Sequence, residues 1–172
     1  REDLNQTKGI CTTNHSINVE SGIGRDERAR IWEARHQAFE LMKRNNPGRS
    51  FLIIDTAVPI SEYPQMVHFA REIIKKYEMK GYFLGHAGDG NLHLVIPGDF
   101  NDGDFILKKD KVNEEIVSHA ISLGGTATGE HGVGIGKRKF MIQEHGESLQ
   151  VMKRIKQLLD PNGILNPGKI FP

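Results

Sequence analysis

Cysteine is almost absent. Cys11 stands alone, so the chain has no disulfide framework and no cysteine-based zinc site. No apolar run approaches the ~20 residues that a membrane-spanning helix needs, and no charged-then-apolar leader opens the chain. A surplus of one charge sign is missing too. The net charge is +1, which argues against nucleic acid as a partner, since such proteins carry a basic footprint. The first residues, Arg1-Glu2-Asp3-Leu4, include no methionine and are polar. The expectation is a fragment of a longer protein, with residues 1–172 forming a single domain large enough to bury a core. The expected location is the cytoplasm, at most peripheral to a membrane.

Histidine and glycine are what the chain does have, concentrated in two stretches: His86-Ala87-Gly88-Asp89-Gly90-Asn91-Leu92-His93 and Gly129-Glu130-His131-Gly132. Gly88-Asp89-Gly90-Asn91 is turn chemistry, and residues 81–87 and 92–97 on either side read as strands. A four-residue turn closing a hairpin there sets Ala87 opposite Leu92 and His86 opposite His93. Opposed residues share a face with Cβ atoms roughly 5 Å apart, so the two imidazoles can converge on one ion. Glu130 can add an oxygen, and two histidines with a carboxylate leave positions open for substrate. His131 then remains for proton transfer. Adjacent side chains on extended backbone point opposite ways. Glu130 and His131 can therefore face one substrate only if the loop kinks, which Gly129 and Gly132 permit. Residues 124–136 hold six glycines in thirteen positions, without the spacing of a dinucleotide-binding loop. The glycines are read as letting the backbone approach a ligand.

The remaining pattern alternates strands and helices. Residues 9–20, with Ile10, Thr12, Thr13, Ile17 and Val19, suggest a strand. Asp26 can cap a helix to about Arg44, striped by Ile31, Ala34, Ala38, Leu41 and Met42. Arg35 lies beside that stripe, either packing its stem or offering a guanidinium to a carboxylate. Phe51-Leu52-Ile53-Ile54 reads as a buried strand closed by Asp55 and Pro59. Ser61 can cap a helix that includes Met66, Ala70, Ile73 and Ile74. In the strand after the turn, Leu92, Leu94 and Ile96 share one face, and His93 and Val95 the other. Residues 104–123 form a helix, Lys137 to His145 a short one, and residues 147–159 another with Leu149, Met152, Ile155, Leu158 and Leu159 inward. This order suggests an α+β fold: a ferredoxin-like antiparallel sheet with helices on one face, plus C-terminal helices.

Three motifs in order carry a resemblance: the histidine hairpin, Gly125-Thr126-Ala127-Thr128-Gly129-Glu130-His131-Gly132-Val133-Gly134, and Leu159-Asp160-Pro161-Asn162-Gly163-Ile164-Leu165-Asn166-Pro167-Gly168-Lys169-Ile170. With Trp32-Glu33-Ala34-Arg35-His36 and residues 55–61, they resemble the C-terminal substrate or cap domain of FAD-linked 2-hydroxy-acid dehydrogenases. This group holds D-lactate dehydrogenases of the cytochrome type and glycolate oxidase flavin subunits, among the vanillyl-alcohol-oxidase-like flavoproteins. The resemblance implies that His86, His93 and Glu130 bind a divalent metal, zinc or manganese, and that His131 is the catalytic base. It also implies that Arg35 grips the substrate carboxylate and that Asn166 lies near the flavin. FAD is then bound mainly by a preceding domain. The substrate is a small D-2-hydroxy acid, and a quinone, cytochrome or electron-transfer flavoprotein takes the electrons. The 2-hydroxyglutarate branch has polar groups where this chain has Phe39, Ile53 and Val95, so a small or apolar substrate side chain is expected. Taken without the resemblance, the same residues also suit a metal-dependent hydrolase or a metal-stabilised binding module without catalysis.

Overall fold

The computed structural model describes residues 2–172. It divides into two compact units, one ending at Gly48 and one running from Arg49 to Pro172. The first holds α1 (Glu2–Thr13) and α2 (Arg25–Arg44). The strand expected within residues 9–20 is therefore a helix at its start and irregular beyond. Acidic Glu2 and Asp3 sit in the first turn of α1, where the helix dipole favours negative charge. Thr7, Thr12 and Thr13 turn their hydroxyls onto carbonyls four residues back, so the β-branched residues are absorbed into the helix. Asp26 lies inside the first turn of α2 rather than capping it. Of the expected stripe only Met42 is buried, while Ile31 and Leu41 stay exposed.

The second unit contains β1 (Ser50–Ala57), α3 (Tyr63–Lys76), β2 (Tyr82–His86), β3 (Asn91–Gly98), α4 (Gly103–Ser122), α5 (Met141–His145) and α6 (Ser148–Leu159). The three strands form an antiparallel sheet ordered β1-β3-β2. Ala57 and Thr126 exchange backbone hydrogen bonds of 3.4 and 2.8 Å at the outer edge of β1. A fourth strand of the ferredoxin-like plan would lie on that edge, and here it is reduced to a single bridge. The α+β expectation holds.

The core lies between one sheet face and helices α3 and α4. Ile54, Leu92, Leu94 and Ile96 meet Met66, Ala70, Ile73, Val112, Ile116 and Ala120 there. The period of two along β3 and of 3.6 along the helices puts these residues on facing surfaces. Asp102 caps α4 by accepting from the Asp104 amide. The expected cap Ser61 instead sits in a 3-10 turn, Ile60–Glu62, and α3 starts after it with Pro64 in its first turn. Arg138–Phe140 is likewise a 3-10 turn, so the helix expected from Lys137 begins only at Met141. In α6 only Leu149 is buried, and Ile155, Leu158 and Leu159, expected inward, are exposed.

Two expectations about the strands need correction. β1 does not stop at Asp55 but continues to Ala57, with Asp55 buried inside it. In the hairpin, His86 pairs with Asn91 and Leu84 with His93. The turn is Ala87-Gly88-Asp89-Gly90, a 3-10 turn of Ala87–Asp89 closed by Gly90 at φ +69°. A Cβ on residue 90 would lie 1.9 Å from the Val58 carbonyl oxygen, so a left-handed residue without a side chain is required there.

Candidate metal and proton-transfer site

The sheet face away from α3 and α4 carries the site. Antiparallel pairing arranges it in rows: Ala57, Asn91 and His86, then Asp55, His93 and Leu84, then Ile53, Val95 and Tyr82. His86 and His93 are diagonal neighbours on this face, not directly opposed, and their ring centroids are 5.7 Å apart. The loop after α4 brings Glu130 and His131 over these rows. Glu130 Oε1 lies 2.9 Å from His93 Nε2, 3.7 Å from His86 Nε2 and 3.6 Å from His131 Nε2. Three imidazole nitrogens thus surround one carboxylate oxygen. Ligand atoms of His86, His93 and Glu130 fall within 4.8 Å of one another.

His93 is 5% exposed, and neither ring nitrogen makes a hydrogen bond of acceptable geometry. Nε2 faces Glu130, and Nδ1 lies 3.3 Å from Asp55 Oδ1. Buried polar nitrogens are costly without a partner. Burial lowers the His93 pKa against the opposing pull of Asp55 and Glu130, which favours the neutral imidazole that a metal ligand must be. Two nitrogens and a carboxylate oxygen form a donor set suited to a borderline divalent cation, open on the Glu130 and His131 side, where both side chains are exposed. The residues fit such an ion.

Asp55, given no site role from the sequence, lies beneath this cluster. It is 1% exposed. Its Oδ1 accepts from Asn91 Nδ2 at 2.8 Å, and its Oδ2 accepts from the Glu130 and His131 amides, both at 2.9 Å. Lys137 Nζ donates to the Asp55 carbonyl at 2.7 Å and lies 3.5 Å from Oδ2. Burial alone would raise the Asp55 pKa. The His131 and Glu130 amides, Asn91 and Lys137 outweigh it and hold the carboxyl well below the usual range. Its signals in the sequence were a carboxylate following four apolar strand residues and its place at the head of the resembling stretch 55–61. Lys137, whose pKa burial lowers against the pull of Asp55, gave no signal beyond its place after the glycine-rich loop.

The glycines of that loop approach protein rather than ligand where they are closest. A Cβ on residue 129 would lie 1.9 Å from Asn91 Nδ2 and 2.6 Å from Asp55 Oδ1. The loop is further held by Glu144, which accepts from the Ala127 amide, and by the tail, where the Ile170 amide donates to the Gly134 carbonyl. Asn166 sits in that tail in a left-handed conformation, exposed and outside the histidine cluster. Arg35 is half-buried on α2 in the first unit.

The family described as "FAD linked oxidases, C-terminal domain" matches residues 1–170. The chain belongs to that family. Among its relatives, the Danio rerio protein named "Probable D-lactate dehydrogenase, mitochondrial" is 35% identical over 171 residues, spanning 99% of this chain and 34% of the relative. The Bacillus subtilis glycolate oxidase subunit GlcD is 36% identical over 170 residues, spanning 98% of this chain and 36% of the relative. This FAD-linked oxidase domain therefore spans about a third of the length of these relatives. A solved structure, 4-ethylphenol oxidase from Gulosibacter chungangensis, superposes with a TM-score of 0.53 at 20% identity over 92% of this chain and 33% of that one, which shows a shared fold. The resemblance read from the three motifs is thereby borne out at the level of the family. No helix among the described residues is long and apolar enough to cross a membrane.

Proposed function

We propose that this chain is the substrate-facing part of an FAD-dependent dehydrogenase that oxidises a small D-2-hydroxy acid, lactate- or glycolate-like, to the 2-oxo acid. The observation that carries the reading is the convergence of His86, His93 and His131 on the Glu130 carboxylate, in a chain whose relatives are named for D-lactate and glycolate oxidation. His86, His93 and Glu130 would hold a divalent zinc or manganese ion, which supplies Lewis-acid polarisation of a substrate oxygen when bound. FAD, held mainly by sequence beyond this third of the protein, supplies the two-electron redox chemistry.

The chain's own residues do the rest. His131, more than half exposed, takes the substrate hydroxyl proton on Nε2, a task that suits an imidazole at neutral pH. Arg35 pairs with the substrate carboxylate through its planar fork, an assignment resting on the Trp32-Glu33-Ala34-Arg35-His36 motif. Asn166 lies beside the flavin, on the strength of the terminal motif. Beyond His93 the site face continues as Ile53, Val95 and Tyr82. Ile53 and Val95 offer no charge for a second carboxylate, which favours a small or apolar substrate side chain. A quinone, cytochrome or electron-transfer flavoprotein is the final acceptor.

The test is anaerobic reduction of the full-length flavoprotein by D-lactate and by glycolate, followed by flavin absorbance. Bleaching by either, with release of pyruvate or glyoxylate, is expected. A flavin left oxidised by both acids overturns the reading.

A further inference from the structure

One geometric fact about the Glu130-His131 loop stands apart from the donor set. In extended backbone, successive N–H groups point to opposite sides. Here a single oxygen, Asp55 Oδ2, receives the amides of two successive residues, Glu130 and His131, each at 2.9 Å. That requires the chain to curl around the oxygen as an anion-holding nest. The left-handed turn at Gly132, φ +78°, follows directly. The curl explains how neighbouring side chains reach one focus, with Glu130 Oε1 and His131 Nε2 3.6 Å apart. The other oxygen of the same carboxylate stands 3.3 Å behind His93 Nδ1. Asn91 Nδ2 donates to that same Oδ1, and Lys137 Nζ stands 3.5 Å from Oδ2 while donating to the Asp55 backbone carbonyl.

We propose that Asp55 is the positioning residue of this site: through its two oxygens it sets the placement of His93, Glu130 and His131 together. It touches neither substrate nor the reacting atoms. The inference rests on the proposed role of that cluster and adds the group that assembles it. The chemistry is that of an outer-shell carboxylate, whose loss weakens metal binding by about 10- to 100-fold.

Asp55→Asn keeps the shape but removes the charge and one acceptor oxygen. The experiment uses full-length flavoprotein and three measurements on the folded fraction: zinc affinity by chelator competition, the limiting rate of flavin reduction at saturating zinc and substrate, and the substrate concentration at half-maximal rate. Zinc affinity is expected to fall at least about tenfold. The limiting rate is also expected to fall with zinc saturating, because His131 is displaced, while the half-saturating concentration changes less. If the variant does not accumulate, Asp55→Glu is measured instead. It retains the charge but shifts the oxygens by a methylene, and the same two losses are expected. A variant that merely melts earlier, with wild-type zinc affinity and limiting rate in its folded fraction, overturns the proposal. His86→Ala separates the two readings. If it too leaves zinc affinity and flavin reduction unchanged, the cluster's role has failed. If it abolishes zinc binding while Asp55→Asn does not alter it, only the positioning role has failed.

Discussion

At the residue scale, the site is a contest between burial and pairing. His93 is buried with two unsatisfied nitrogens, and Asp55 is buried but saturated with donors. Replacing His131 removes the proposed proton acceptor. In full-length His131→Ala, flavin reduction by hydroxy acid is expected to slow at least about a hundredfold, the lower range of general-base contributions, with flavin absorbance retained. Wild-type reduction kinetics would contradict the assignment. Asp55 also carries a pH prediction. Its folded pKa lies below the unfolded value of about 3.9. Its contribution to stability is therefore fully present above that value and is lost as pH falls through it toward the folded pKa. Denaturation followed from pH 6 to pH 2 should show a steeper loss of stability in the wild type than in Asp55→Asn below about pH 4. Parallel curves would contradict it. Of these residues, His86, His93, Glu130 and His131 were legible because histidines flanking a glycine turn and a Glu-His pair between glycines are uncommon patterns. The role of Asp55 was not, because a carboxylate at the end of an apolar run looks like a strand terminator until its partners, 36 to 82 residues away, are seen.

At the element scale, the hairpin shows why a misjudged register did not misplace the site. The expected pairing of His86 with His93 is offset by two residues from the observed pairing of His86 with Asn91. An even offset preserves the face, whereas a slip of one would have turned both imidazoles away from each other. What the sequence could not reveal is that the turn absorbs Ala87 in a 3-10 turn, a choice set by Gly90 packing against Val58. The α1 region misled for the opposite reason. β-branched residues favour a strand, but with no buried residue on α1 local hydrogen bonding decided the outcome. The helices on the core were legible from their apolar period because packing enforces it. The central strand should be the element most sensitive to truncation. Leu94 is fully buried between α3, α4 and the sheet, so Leu94→Ala is expected to cost about 2–5 kcal/mol, read by urea denaturation. A loss below about 1 kcal/mol would contradict its place in a packed core.

At the scale of the whole molecule, this domain is about a third of the length of relatives such as GlcD. The fold class could be read from the order of strands and helices, and the family from three spaced motifs. The division at Gly48 could not, since Asn46-Pro47-Gly48 marks the end of a helix equally well inside one domain or between two units. The proposed activity needs an oxidant that these 172 residues are not expected to bind alone. Purified by itself, the chain should show no visible flavin absorbance and no turnover of D-lactate with an artificial electron acceptor. A yellow preparation would contradict that division of labour.

Elemental analysis of the full-length protein decides whether His86, His93 and Glu130 jointly hold a divalent cation. Zinc or manganese is expected at near one ion per chain in the wild type and is expected to vanish in His86→Ala. Full occupancy in that variant, or a metal-free wild type purified without chelators that still reduces its flavin with hydroxy acid, would rule out a metal held by these three residues.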